Sequence, residues 1–329
     1  MKNARLLSIV VALLLVSMAV WAAAPPAPPP PRFSIRVGGR IGYADVTGKI
    51  VINPQFDDAG EFSGGYAWIK MDRRYGYIDT AGRITVNPQF NNARDFSGGL
   101  ACVELERWGL IGTRGQFVIN PQFDRCLDFH GGLAAVELGR KWGFVNASGK
   151  YVINPMYDEA GDFSGGLARV NSDGRWGYID PTGKMAINPQ FDRAGDFRNA
   201  RAPVCIGDKW GYIDSTGKYR VNPQFREAFA FSEGMGRVDI DRRYGYVDIY
   251  GKMLINPQFD RAGDFHGGLA WMVISGRGPY GFVDKNGRIT INPQFDEAWD
   301  FVNGLAKVKL GGAFGYVNGA GKYVYNPTE

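Results

Sequence analysis

The chain has only two histidines and three cysteines in 329 residues, and almost no excess of either charge. Each shortage removes a class of function. A Ser/His/Asp or Cys/His nucleophilic site needs partners, and the sequence around His130 and His266 supplies none, so both read as solvated loop residues. An odd, unpatterned set of cysteines (Cys102, Cys126, Cys205) does not make a disulfide framework, although one pair can form and leave one thiol free. Cys126 stands where other copies of the repeat described below carry alanine, and reads as a small buried hydrophobe. Basic residues are interspersed with acids throughout, so no nucleic-acid patch stands out. The one long apolar run, Leu6 to Val20, is short for a membrane span.

That run has the form of a secretory signal: Lys2 and Arg5 precede it, and Val20-Trp21-Ala22 puts small residues at −3 and −1 of a cleavage point after Ala22. Residues 1–22 are therefore expected to be a signal peptide, which makes the protein exported, to the periplasm or the extracellular space. No cysteine lies near the cleavage point, which excludes a lipid anchor there. Removing Lys2 and Arg5 leaves 36 basic against 33 acidic residues. Residues 23–32 form a spacer in which Pro25 to Pro31 has too few N–H donors for helix or sheet, and polyproline II is expected.

From Phe33 onward the abundance of Gly (46), Pro (18) and aromatics (14%) suggests short strands and tight turns. Self-similarity then sets the architecture. An aromatic-Gly pair recurs at Tyr75-Gly76, Trp108-Gly109, Trp142-Gly143, Trp176-Gly177, Trp210-Gly211, Tyr244-Gly245, Tyr280-Gly281 and Phe314-Gly315, with Ile41-Gly42 a degenerate first copy. Nine Asn-Pro pairs, from Asn53-Pro54 to Asn326-Pro327, keep the same phase of about 34 residues.

One copy illustrates the physics. Trp176 to Asp180 alternates as a strand. Asp180-Pro-Thr-Gly183 is a turn, and Met185 to Asn188 is a second strand stopped by Pro189. Asp192 is placed to cap one helical turn that faces Ala194 and Phe197 inward. A third strand such as Leu167 to Val170 returns through Asp173-Gly174, a hairpin signal. Ile179, Ile187, Ala194 and Phe197 are the expected inward set.

The run Arg175-Trp-Gly-Tyr-Ile-Asp180, with Gly183-Lys184, Ile187-Asn-Pro-Gln-Phe-Asp192 and Phe163-Ser-Gly-Gly-Leu-Ala-Arg-Val170, resembles the bacterial WG (KWG) repeat family across residues 33–329. The resemblance implies a β-rich, often exported repeat scaffold with no settled activity. The expectation is an all-β array of nine units, each of three short antiparallel strands plus a helical turn. Such units cannot close a core alone and must stack. An open superhelical array is favoured over a closed propeller-like ring, because propeller blades ordinarily have four strands in roughly 40–50 residues. Against this, the chain starts with a third-strand-like segment at Phe33 to Val37 and ends after a second strand, so the two ends can complement each other.

For chemistry, the candidates are few. Carboxylates spaced by four (Asp124/Asp128, Asp158/Asp162, Asp192/Asp196, Asp260/Asp264, Asp296/Asp300) suit a glycosidase pair or calcium, but they recur in most units with no distinguishing third group, and read as caps and turn residues. No catalytic residue, metal ligand or cofactor is expected. The Gly-Gly segments lack a P-loop lysine. The aromatic ladder Tyr75, Trp108, Trp142, Trp176, Trp210, Tyr244 and Tyr280 is the ligand-binding candidate: exposed, it stacks on sugar rings; buried, it joins the repeats. Irregular segments at Arg198 to Pro203 and Ser275 to Pro279 are further candidates.

The expected function is a non-catalytic exported scaffold binding protein or cell-envelope glycan. A structural spacer without a specific ligand is the alternative, and an envelope glycan hydrolase a second. Neither nucleic acid nor a stable membrane span after signal cleavage is expected, and the protein is expected to be monomeric.

Overall fold

The computed structural model describes residues 31–328, so the expected signal peptide and nearly all of the proline spacer lie outside the described residues. From Arg32 the chain runs through nine antiparallel sheets in strict sequence order. We number them as blades 1–9: residues 32–56, 58–90, 92–123, 125–157, 159–191, 193–225, 227–259, 261–295 and 297–328. Blade 1 has three strands; the others have four, the first only two residues long in blades 2, 3 and 5–8.

Local chemistry accounts for these strands. In blade 5 the second and third strands, Ala168–Ser172 and Arg175–Ile179, are joined by Asp173 and Gly174, both at positive φ (53° and 77°), as a tight antiparallel hairpin requires. The next turn is held by Asp180, whose Oδ1 accepts from the Thr182 N–H and hydroxyl at 2.9 and 2.6 Å. Pro189 does not end the fourth strand, which runs from Met185 to Phe191. The proline falls where pairing skips from Tyr178↔Ile187 to Trp176↔Phe191, so its missing donor costs no ladder bond. That detour brings the fourth strand over Gly177, where a Cβ would sit 2.5 Å from the Ile187 carbonyl oxygen. The recurrent glycine after the aromatic thus admits its own blade's last strand.

The helical turn expected after Asp192 is absent. Arg193–Ala194 is a two-residue strand paired with Val204 and Cys205, and Arg198 and Arg201 close a further bridge. Asp192 instead accepts from the Gly207 N–H across the blade and pairs with Arg175. Each acid of the i,i+4 pair therefore does a separate job, and a helix cap is neither's.

This extra strand also corrects the open array. Four-stranded blades fit a propeller, and the ring is closed. Apolar cores lie between blades rather than within them: Tyr178, Ile187 and Phe191 of blade 5 pack on Ala194, Phe197, Val204 and Ile213 of blade 6. Ile179, expected with this set, faces back into the core shared with blade 4. Nine such interfaces are found, including one between blades 9 and 1. Nine sheets in an open row would have eight. At the closure Phe33 and Ile35 pack on Leu305 and Tyr316, and the Tyr316 hydroxyl donates to the Ser34 carbonyl at 2.7 Å.

That last bond belongs to a series. The central tyrosine of the third strand donates to the next blade from Tyr43, Tyr77, Tyr178, Tyr212 and Tyr246 at 2.7–2.9 Å. A second series comes from Ser63, Ser97, Ser164 and Ser232, whose hydroxyls donate to a phenylalanine carbonyl one blade on at 2.6–2.8 Å. Cys102 and Cys126 form a disulfide between blades 3 and 4, where the tyrosine is replaced by Leu110; Cys205 is free and buried.

Candidate functional site

The aromatic ladder is neither an open platform nor a closed core. Trp142 and Tyr280 are buried (5% and 6% exposed), and Tyr75, Trp108, Trp176, Trp210 and Tyr244 are half-buried. A cation lies over each ring: Lys70 over Tyr75, Arg94 over Trp108, Arg125 over Trp142, Arg169 over Trp176, Arg193 over Trp210, Arg237 over Tyr244 and Arg261 over Tyr280, at 5.0–5.8 Å from the centroid. Arg175, next to Trp176 in sequence, is engaged with Asp192 instead. Two ladder members line clefts, Tyr280 the smaller one, of about 240 Å³, with Arg261, Trp271 and Trp299. Trp210 lines an open cleft of about 470 Å³ with Arg169, Arg193, Asp196, Pro203 and Phe229, and its indole N–H is buried without a hydrogen-bond partner. The cleft sits at the irregular segment Arg198 to Pro203, where Asn199 and Ala200 take the positive φ (49° and 59°) that glycines supply in most other blades.

A second arrangement, not read from the sequence, is a circle of acids. Just after the first strand of successive blades, or within it at Asp128 and Asp300, stand Glu61, Asp95, Asp128, Asp162, Asp196, Ala230, Asp264 and Asp300. Burial raises the pKa of Asp95, Asp162 and Asp300, and neighbouring acids add to it: Asp128 acts on Asp95, Asp264 on Asp300, and both Asp128 and Asp196 on Asp162. A residue near the start of the strand that leads into the preceding blade's hairpin answers most of these acids. Ser34 bonds Glu61, Arg169 meets Asp196 at 3.1 Å and Arg237 meets Asp264 at 3.0 Å. The indoles of Trp68 and Trp271 favour the charged forms of Asp95 and Asp300. Where that residue is Pro203, with no donor to give, the acid is Ala230.

Two places break the rule. Cys102, in its disulfide, faces Asp128, and Ala135 faces Asp162. Asp128 has Arg94 Nη1 at 3.7 Å in compensation. Asp162 makes no ion pair within 4.0 Å among the described residues, and burial pushes its pKa up to about 6 against the opposing charge of His130. A sequence signal for this existed: Asp128-Phe-His130 and Asp264-Phe-His266 are the chain's only histidines, each two residues after an acid of the circle and so on the same side of an extended chain.

Comparison with known proteins is consistent with the ring. A family model described as "WG containing repeat" matches eight segments, 41–74, 75–106, 108–142, 142–176, 176–210, 210–243, 244–277 and 280–312. Among solved structures, the chain is similar to one titled a eukaryotic initiation factor, with a TM-score of 0.66 at 12% identity over 89% of this chain and 95% of that one. At that identity the likeness concerns the fold alone. Weaker likenesses are to BamB from Moraxella catarrhalis (TM-score 0.48, 12% identity, 81% and 91% covered) and to a streptogramin B lyase (0.40, 16%, 78% and 91%). No curated protein matches the sequence.

Proposed function

The chain belongs to the family of WG-containing repeats, and from that premise we propose that it is a non-catalytic, exported interaction scaffold that takes a protein segment or cell-envelope glycan into the cleft at Trp210. The observation that carries this reading is the cleft itself: an indole face, an unpartnered indole N–H, and both charge signs from Arg193 and Asp196, in one opening of about 470 Å³. Aromatic surface with a few convergent polar groups is the usual make-up of a binding site. The rest of the ladder, with a cation over every ring, contributes to holding the blades and to any extension of the bound chain along the ring. The paired carboxylates, divided between hairpin and circle, support the non-catalytic reading.

Iodide quenching of tryptophan fluorescence, with soluble cell-wall glycans in one arm and fractionated envelope proteins in the other, tests this. One of the two should protect the fluorescence in the native protein and in Trp176→Ala, and should fail to do so in Trp210→Ala. Equal behaviour of Trp210→Ala and the native protein in both arms would sink the reading.

A further inference from the structure

Every junction between successive blades has two places for a hydrogen bond across it, the tyrosine and the serine described above, except where blade 1 supplies neither serine nor acid. Among the described residues, two junctions have lost both. Between blades 4 and 5 the tyrosine is Phe144 and the serine is His130; between blades 8 and 9 they are Phe282 and His266. The chain's only two histidines therefore stand at the two junctions that lack both bonds.

At the second of these, other groups occupy the space. Arg237 pairs with Asp264 at 3.0 Å, and the His266 Nδ1 lies 3.4 Å from Asp300, which the Trp271 indole also favours in its charged form. Even so, Oδ1 of Asp300 and Nδ1 of His266 are buried without a hydrogen-bond partner. At the first junction Cys102 and Ala135 stand in the places of Arg237 and Trp271. There Asp128, His130 and Asp162 bring one ligand atom each to within 4.8 Å of one another, two from blade 4 and one from blade 5. Oδ1 of Asp128 and Oδ1 of Asp162 are both buried without a hydrogen-bond partner. Asp128 Oδ1 keeps only the long Arg94 ion pair at 3.7 Å, and Asp162 Oδ1 has no hydrogen bond to replace the water that burial removes.

We propose that Asp128, His130 and Asp162 bind a first-row divalent transition cation, with Zn²⁺ the best match, which ties blade 4 to blade 5. Ligand atoms sharing an ion at about 2.1 Å stand roughly 3–3.5 Å apart, so small rotations of the three side chains complete the set. One imidazole and two carboxylates suit Zn²⁺ better than Ca²⁺, which takes six to eight oxygens, or Mg²⁺, which keeps most of its water. Water fills the remaining positions. Arg94, 3.7 Å from Asp128, opposes the ion, and its charge is offset by Asp95 on the other side. The site lies away from the Trp210 cleft and does not depend on the function proposed for it.

The test uses tag-free purified protein stripped with a chelator, then titrated with ZnCl₂ against a chromophoric competitor, with Co²⁺ absorption reporting the ligand set. One equivalent should bind, and thermal unfolding should move upward with it. His130→Ser places at this junction the residue that Ser164 supplies one blade on, so it should fold; it and Asp162→Asn should each weaken binding by more than about 100-fold, beyond the roughly 10–100-fold of a lost outer partner. His266→Ser should bind one equivalent as before. The proposal is overturned if Zn²⁺ binds His130→Ser and Asp162→Asn as it binds the native protein, if His266→Ser abolishes binding, or if Ca²⁺ binds and Zn²⁺ does not.

Discussion

The junctions between blades 4 and 5 and between blades 8 and 9 start from the same local sequence, Asp-Phe-His followed by an acid one unit later, and end in different chemistry. Around Asp264, His266 and Asp300, an arginine and a tryptophan answer the acids. Around Asp128, His130 and Asp162 the corresponding residues are Cys102 and Ala135, and the three side chains bring one ligand atom each to within 4.8 Å of one another. The difference teaches that a motif in a repeat protein means what its neighbours in the adjoining copies allow. A tripeptide cannot distinguish a satisfied contact from a binding site, because the deciding atoms lie about one repeat away.

The largest expected effect concerns the first junction's support. Cys102 and Cys126, 24 residues apart, tie blades 3 and 4 directly beside Asp128. Replacing both by alanine should cost about 3 kcal/mol in denaturant unfolding. It should also weaken Zn²⁺ binding at the first junction while hydrogen exchange around His266 stays unchanged; equal loosening at both junctions would break the comparison.

Next comes Arg237→Ala, which removes the partner of Asp264 together with a cation over Phe229 at 3.7 Å and a bond to the Ala262 carbonyl. A loss of about 2 kcal/mol is expected, since the pair is only partly buried. The variant should gain a second, weaker Zn²⁺ equivalent, because the second junction then resembles the first.

A hairpin remote from both junctions supplies a reference. Asp214 accepts from the Thr216 hydroxyl and N–H at 2.6 and 2.9 Å, and the Thr216 hydroxyl above all, with Arg220 and Lys218, holds its pKa below the usual carboxylate range. A depressed folded pKa stabilises above the unfolded value near 4, and that stabilisation is lost as pH falls through and below it. Asp214→Ala should therefore cost about 1 kcal/mol at pH 7 and progressively less below pH 4, by unfolding at the two pH values, with no change in Zn²⁺ binding.

The smallest effect sharpens the comparison most. Ala135→Arg supplies at the first junction the donor that Arg169 supplies one blade on. Stability should change by less than about 1 kcal/mol, and Zn²⁺ binding should disappear.

Much of the fold was legible. The hairpins at Asp173-Gly174 and Asp180 to Gly183 follow from residues that tolerate positive φ and bond their own backbone, and they form as expected. Of the inward set, all four residues are buried. The helical turn was misread because Asp192 has the chemistry of a cap, whereas its actual donor, the Gly207 N–H, is fifteen residues on. Missing the short strand that opens most blades made the blades look too thin for a propeller, and the open array followed from that miscount. The ladder was found by position, but its exposure depended on cations from other strands. The acid circle was seen only as pairs spaced by four, since the residues that answer each acid stand 26–29 positions before it.

By itself, then, the sequence determined what is local or periodic: the repeat, its turns, its alternating strands, and the glycine that lets the fourth strand cross. These depend on backbone preference and on contacts a few residues apart. Tertiary structure alone decided that the ring closes, because closure depends on Tyr316 reaching Ser34, 282 positions away. It also decided which of two identical tripeptides gathers its acids and imidazole into one cluster, because that is settled by whatever side chains the adjoining blades bring to the same few ångströms.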